Sequence, residues 1–184
     1  MLITKTNPTG VDYHVQQLQT ALHTGLLAAW GIASDQYKAY GRCYRNKTAD
    51  GYVAENYEGS GEYREIYWDD SLSAISFFGI TGQSRAAMGT GSEVDVHFVM
   101  FANLAKIYPA IAHRADEELR AQVQSLIGAN GNGFSYQGTE MWLENVLREY
   151  SGSRRDDRLK AVDMHPVHCF RINLKLNYRP GRNC

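Results

Sequence analysis

Apolar and polar residues alternate at a period of two through two stretches of this chain, and those stretches predict the centre of a sheet. From Glu93 to Phe101, Val94, Val96, Phe98 and Met100 share one face, while Asp95, His97, Val99 and Phe101 share the other, which turns apolar only toward its end. An exit loop runs on to Tyr108. From His168 to Tyr178, His168, Phe170, Ile172, Leu174, Leu176 and Tyr178 alternate with Cys169, Arg171, Asn173, Lys175 and Asn177, which predicts one dry and one wet face. The second stretch is the natural partner of the first. A slip of one residue would turn its apolar set toward water, so the register is strongly specified.

Elsewhere the period changes. Between Thr9 and Trp30, Val11, Val15, Leu18, Leu22, Leu26 and Trp30 form one stripe of an amphipathic helix, with Thr9 as its cap, Asp12 in the capping-box place and Gly31 as its stop. His14 and His23 lie off the stripe and read as solvated. Gln36 to Lys47 reads as a strand with Tyr40, Arg42 and Tyr44 on one face and Gly41 marking a bulge or a close backbone approach. Tyr52 to Glu58 and Glu62 to Trp68 flank Gly59-Ser60-Gly61 as a hairpin, and Leu72 to Ile80 is compatible with burial on both sides. Asp69-Asp70 between them reads as a turn.

Gly82 to Ser92 (GQSRAAMGTGS) reads as a flexible connection, either a surface loop or an arm that orders on contact with a partner, and it lacks the Lys and Ser/Thr of a phosphate loop. Pro109 forces Tyr108 out of helical geometry. A helix from Arg114 to Ile127 follows, with Ala115, Leu119, Val123 and Leu126 as its stripe and Gly128 as its end. A second helix is expected from Thr139, burying Trp142, Leu143, Val146, Leu147 and Tyr150 and exposing a Glu144–Arg148 pair. Ser151 to Lys160 (SGSRRDDRLK) reads as a charged loop, solvated or in ion-pairing contact with another subunit, and residues 179–184 as a tail.

This order predicts an α+β fold: a mostly antiparallel sheet, an N-terminal helix and two later helices packed on one face, and a closing C-terminal strand. The 184 residues suit a single domain, 1–184, able to bury about 70% of the surface its unfolded form exposes. A formal net charge of -1 supplies no basic field of the kind that draws a protein to nucleic acid or anionic lipid. No signal-peptide core and no run near the ~20 apolar residues of a membrane span is present, so a cytosol-like compartment is expected. Without a secretory route the sequon Asn46-Lys47-Thr48 is chance. Twelve Tyr and three Trp suit half-buried strands and also protein interfaces.

Candidate chemistry is sparse. Cys43, Cys169 and Cys184 are scattered and imply neither a disulfide framework nor a zinc site. His165, His168 and Cys169 offer metal-ligand atoms, but alternation sends His168 and Cys169 to opposite faces, and a strand entry at Pro166 is the plainer reading. Asp95 and His97 share a strand face and can form an acid-base pair, yet no nucleophile is tied to them by motif. No catalytic, cofactor or metal residue is therefore assigned.

In size, leading helix, hairpin-bearing sheet, late helical pair and final strand (CFRINLKLNY), the chain resembles the tail terminator (tail completion) proteins of long-tailed bacteriophages. The resemblance covers most of the chain and is one of layout. It implies a structural virion protein assembled in the host cytoplasm, without enzymatic activity or cofactor. The family's ring, commonly of six subunits, caps the tail tube, with the tail tube protein and a neck or connector protein as partners and DNA only as passing cargo. Tyr57 and Tyr63 on the hairpin, Arg85 in the Gly82–Ser92 arm, and Arg154 and Arg155 in the charged loop are the candidate contacts. The long stretch from Tyr37 to Ile80 leaves open a head-completion or other connector protein. From a different class, a small cytosolic enzyme or ligand-binding domain would use Asp95 and His97 or the His165–Cys169 segment.

Overall fold

The structure, a computed structural model, describes residues 1–86, 91–111, 113–153 and 164–179. Its elements in order are β1 (Leu2–Ile3), α1 (Val11–Trp30), β2 (Tyr37–Arg42), β3 (Tyr44–Thr48), β4 (Gly51–Gly59), β5 (Glu62–Glu65), β6 (Ala74–Ala86), β7 (Ser92–Asn103), α2 (Leu104–Ile107), α3 (Asp116–Asn130), β8 (Phe134–Glu140), α4 (Leu143–Val146) and β9 (Val167–Tyr178). Six strands form one sheet in the order β1-β2-β6-β7-β9-β8, and β3-β4-β5 form a second. The β1–β2 and β2–β6 pairs are parallel and the others antiparallel, so the fold is α+β with a mostly antiparallel main sheet.

The pairing of the two alternating stretches holds along their whole length, with Val94 opposite Leu176, Val96 opposite Leu174, Phe98 opposite Ile172 and Met100 opposite Phe170. These side chains meet α1 and α3 in one apolar core, joined by Leu18, Leu22 and Leu26 and by Leu119 and Val123. Each large side chain buried there contributes roughly 1.5–3 kcal/mol as an upper figure. Gly31 ends α1 in the left-handed conformation its missing Cβ allows.

The wet face predicted for β9 does not exist at its centre. Cys169 and Arg171 are buried, as are His97, Val99 and Phe101 of β7. The second sheet, α4 and the segment after it cover this side, forming a second core from Tyr40, Ala54, Ile66, Trp68, Phe77, Leu147 and Tyr150. The main sheet is thus a middle layer.

Other expectations need correction. Gln36–Lys47 is two strands: the register slips between Ala39 and Arg42, Gly41 stands where an added Cβ would lie 3.0 Å from Gln19 Oε1, and Cys43 N bonds Phe78 O as β3 leaves for the second sheet. The arm from Gly82 is strand as far as Ala86, with Arg85 opposite Glu93 in register; residues 87–90 lie outside the described residues. Gly128 lies inside α3, which ends at Gly131. The helix expected from Thr139 shrinks to the single turn α4 (Leu143–Val146); Thr139 and Glu140 instead close the strand β8. Thr9 makes no side-chain cap; Gly10 is the N-cap of α1, and Asp12 pairs instead with Lys5 and Arg42. His23 is buried, stacked on Tyr37 with centroids 5.1 Å apart. Arg148 pairs with Glu140 and Glu149 rather than Glu144.

Candidate functional site

The covered side of the main sheet holds the densest polar chemistry among the described residues. Strand register sets it up: Gly79 of β6 and Asn173 of β9 flank His97 of β7, and Arg171 lies between Val99 of β7 and Glu140 of β8. The segment beyond α4 then brings Arg148, Glu149 and Tyr150 down onto this row.

His97 Nδ1 lies 3.0 Å from Thr81 Oγ1, and His97 Nε2 lies 2.9 Å from Tyr150 OH. Arg171 donates through both terminal nitrogens to the two carboxylate oxygens of Glu149, one at 3.0 Å, and through Nε to Asn173 Oδ1 at 2.7 Å. Its Nη2 also reaches Thr81 Oγ1 at 3.3 Å. Thr81 Oγ1 also lies 3.5 Å from Glu149 Oε1, to which its hydroxyl donates. Asn173 Nδ2 donates to Glu140 Oε1 at 2.5 Å, and Arg148 Nη1 bonds both oxygens of the same carboxylate at 2.8 and 3.0 Å.

Two guanidinium and two carboxylate groups cancel in this cluster. Burial, reinforced by the positive Arg171, pushes the His97 imidazole down to about 3, so the ring is neutral at ordinary pH. Burial alone would raise Glu149, but the bonds and charge of Arg171 outweigh it and hold the carboxyl at about 2. Burial pushes the Tyr150 phenol up. A side chain at residue 79 would not fit: a Cβ on Gly79 would stand 2.2 Å from His97 Nε2 and 2.3 Å from Tyr150 OH.

With both imidazole nitrogens and most guanidinium donors occupied, the cluster fastens residues 147–153 to the sheet. Asp95 is not a partner of His97, so the acid-base pair suggested by their shared face does not form; Asp95 lies opposite Lys175 and Thr81 in register. His168 and Cys169 are buried on opposite faces as alternation requires, with His168 Nδ1 3.1 Å from Arg114 Nη2, while His165 is exposed. Asp69 accepts from Ser71 N at 2.9 Å and Ser71 Oγ at 2.6 Å, which is the expected turn. Burial pushes the Cys43 thiol up, which keeps it protonated. A cleft of about 150 Å³ beside α2, lined by Leu104, Tyr108, Pro109, Ile111, His113 and His165, is half the size of the smallest typical small-molecule sites, roughly 300 Å³.

The surface is more distinctive. Tyr57 and Tyr63 stand directly opposite on β4 and β5, 37% and 48% exposed, with rings 5.1 Å apart; Tyr44 meets Tyr63 edge-on at 5.8 Å, and Lys5 lies over the Tyr44 ring. Arg85 is exposed on β6. Arg154 and Arg155 lie outside the described residues. At the far edge of the main sheet, Tyr136 (53% exposed), Met141 and Trp142 (64% exposed) are large exposed side chains, and of these the helical reading of Thr139–Tyr150 places Trp142 inside. Trp142 has φ 69°, a left-handed conformation that is a steric outlier for so bulky a residue. The alternation of Phe134 and Tyr136 after Gly133 is the one sequence signal that would have marked β8. No protein-family model matches the chain, and no curated protein matches it.

Proposed function

We propose that the chain is a structural virion protein of a tailed bacteriophage, a tail terminator whose copies close into a ring on the tail tube and join it to the neck. One observation carries this reading: two unlike exposed aromatic patches stand on different sheets of one domain. Tyr57 and Tyr63 belong to the small sheet beside β2 and β6, and Tyr136 and Trp142 to the β8 edge. Four strand spacings separate β2 from β8, roughly 19 Å. A closed ring needs two different patches, each meeting its complement on the next subunit. The α+β layout that underlies the family resemblance supports the same reading, as does a net charge of -1 on a part that meets protein on two sides while DNA passes.

Native mass spectrometry and negative-stain microscopy of the purified chain, alone and mixed with tail tubes, test it. Rings in solution, or rings that form at tube ends and stop tube growth, are expected. Binding to purified connectors but not to tubes would move the chain to a head-completion role. A monomer that binds neither would sink the proposal.

A further inference from the structure

The turn between α3 and β8 repeats one dipeptide, Asn130-Gly131-Asn132-Gly133, and both asparagines are exposed. Asparagine is a thermolabile residue, and a following glycine makes it more so. The glycine nitrogen can attack the asparagine Cγ, and with no Cβ beside it that nitrogen is open to approach and its backbone bends freely. The attack needs a carboxamide free to swing over its own main chain and a glycine N–H free to give up its proton. In sequence the two pairs are alike, but the fold separates them.

Asn130 is the last residue of α3, and both of its requirements are blocked. Its Nδ2 donates to Leu126 O at 2.9 Å, and the nitrogen that would attack it, Gly131 N, donates to Ile127 O at 2.7 Å as the helix cap. Asn132 lies in the turn beyond. Asn132 N donates to Asn130 O at 3.0 Å, Phe134 N to Gly131 O at 2.8 Å and Asn177 N to Gly133 O at 2.9 Å. Those bonds hold the turn without engaging either reacting group: among the described residues, the Asn132 carboxamide makes no hydrogen bond and Gly133 N–H has no acceptor. The turn also requires its glycine, since residue 133 has φ 85° and a Cβ there would stand 2.7 Å from Asn177 O.

We propose that Asn132 is a self-modification site, converted to aspartate and isoaspartate through attack by Gly133 N, while Asn130 in the same repeat is protected. Hydroxide takes the Gly133 N–H proton, the nitrogen bonds to Asn132 Cγ, the Cγ–Nδ2 bond breaks, and ammonia leaves with a proton from water, closing a cyclic imide. Water then opens the imide at either carbonyl. Opening at the side-chain carbonyl gives aspartate, and opening at the main-chain carbonyl gives isoaspartate, in which the backbone runs through the side chain. Water is the only co-reactant, and nothing is oxidised or reduced. Either product places a carboxylate at the head of β8, an end strand with no charge from Phe134 to Thr139, and charge is one of the features that keep an edge from pairing with other strands. Aged copies therefore differ from new ones at that edge, whether or not copies form a ring.

Tandem mass spectrometry of peptides from the folded chain, held at mildly alkaline pH, reads both sites at once, and an isoaspartate-specific methyltransferase marks the rearranged product. Asn132 is expected to convert at least about tenfold faster than Asn130, the protection given by roughly one hydrogen bond at Gly131 N. In urea, where that bond is lost, the two rates are expected to converge. Asn132→Gln, whose longer side chain cyclises far more slowly, is expected to abolish the fast phase with an unchanged melting curve. Equal rates in the folded chain, a faster Asn130, or a folded chain that changes at neither site while the unfolded chain changes at both would overturn the assignment. A preference for Asn132 that persists in urea would overturn it as well, because the selection would then belong to the sequence and not to the fold.

Discussion

The two faces of the main sheet are sealed by opposite means. Toward α1 and α3, the sheet offers Phe78, Phe98, Met100, Phe170, Ile172 and Leu174, and the helices answer with leucines, isoleucine and valines. Toward the second sheet, apolar packing is interrupted by Arg171, His97, Asn173 and Thr81, answered by Glu149 and Tyr150. Apolar packing is non-directional, so the first face depends on volume. The second depends on every donor finding its acceptor, because an unmet polar group there costs more than a lost contact. It should therefore be the more brittle face, and the one that fixes where residues 141–153 sit.

The largest expected effect follows from removing one charge. Glu149→Ala leaves a guanidinium that is 1% exposed without its carboxylate, and should cost about 3–5 kcal/mol in chemical denaturation. Replacing both partners, Glu149→Leu with Arg171→Met, should recover most of that. If the double variant is as unstable as the single one, the brittleness is not electrostatic.

Next comes crowding. Gly79→Ala places a methyl within 2.3 Å of both His97 Nε2 and Tyr150 OH, neither of which is the free end of a flexible chain. The expected loss is toward the upper end of the roughly 1–3 kcal/mol for overpacking. Loss of the Tyr150 hydroxyl bond would appear in the tyrosine absorbance spectrum.

Acid should act on the same face. The ordinary histidine value is 6.5 and folded His97 is held at about 3, so as pH falls the unfolded chain takes up a proton that the folded chain refuses. The stability associated with neutral His97 is whole above pH 6.5 and drains as pH falls toward 3, about 2 kcal/mol of it between pH 6.5 and 5. His168, pushed down to about 4 first by burial, adds in the same direction, and Glu149 follows below its ordinary 4.5. Urea melts from pH 7 to 5 should show a slope shallower by about one proton in His97→Gln than in the wild type. Equal slopes would mean His97 is not the buried neutral group described.

This asymmetry also explains what was legible in the sequence. The helix-facing side announced itself because β7, β9 and α1 each bury one periodic set, and period alone identifies the set. Period cannot say whether a second layer covers the other side. Arg171 occupies an alternate, polar position, which is why it reads as wet; it is dry because α4 and the segment carrying Glu149, some 22 residues earlier, pack onto β9 there. Strand β8 was obscured because the bulge at Gln137 breaks its alternation. The exposed Trp142 reads as buried because it falls at helical spacing with Leu143, Val146, Leu147 and Tyr150, of which only Leu143 and Val146 are in the turn α4. Tyr57 and Tyr63 were legible because the Gly59-Ser60-Gly61 turn fixes them opposite each other.

The smallest expected effect has the opposite sign and comes from the other face. Gly128 lies inside α3, with open space where a Cβ would go and no positive φ to strain it. Gly128→Ala removes backbone freedom from the unfolded chain and adds helix propensity, so it should stabilise by about 0.5–1 kcal/mol. For a chain of this size that is a rise of a few degrees in Tm, at roughly 2–4 °C per kcal/mol. The same chemical change at Gly79 should destabilise, because there the missing Cβ makes room for the His97–Tyr150 bond, whereas at Gly128 it makes room for nothing. Parallel thermal melts of the two variants decide the matter: shifts of one sign in both would mean that the two sides of the sheet do not differ in the way their chemistry implies.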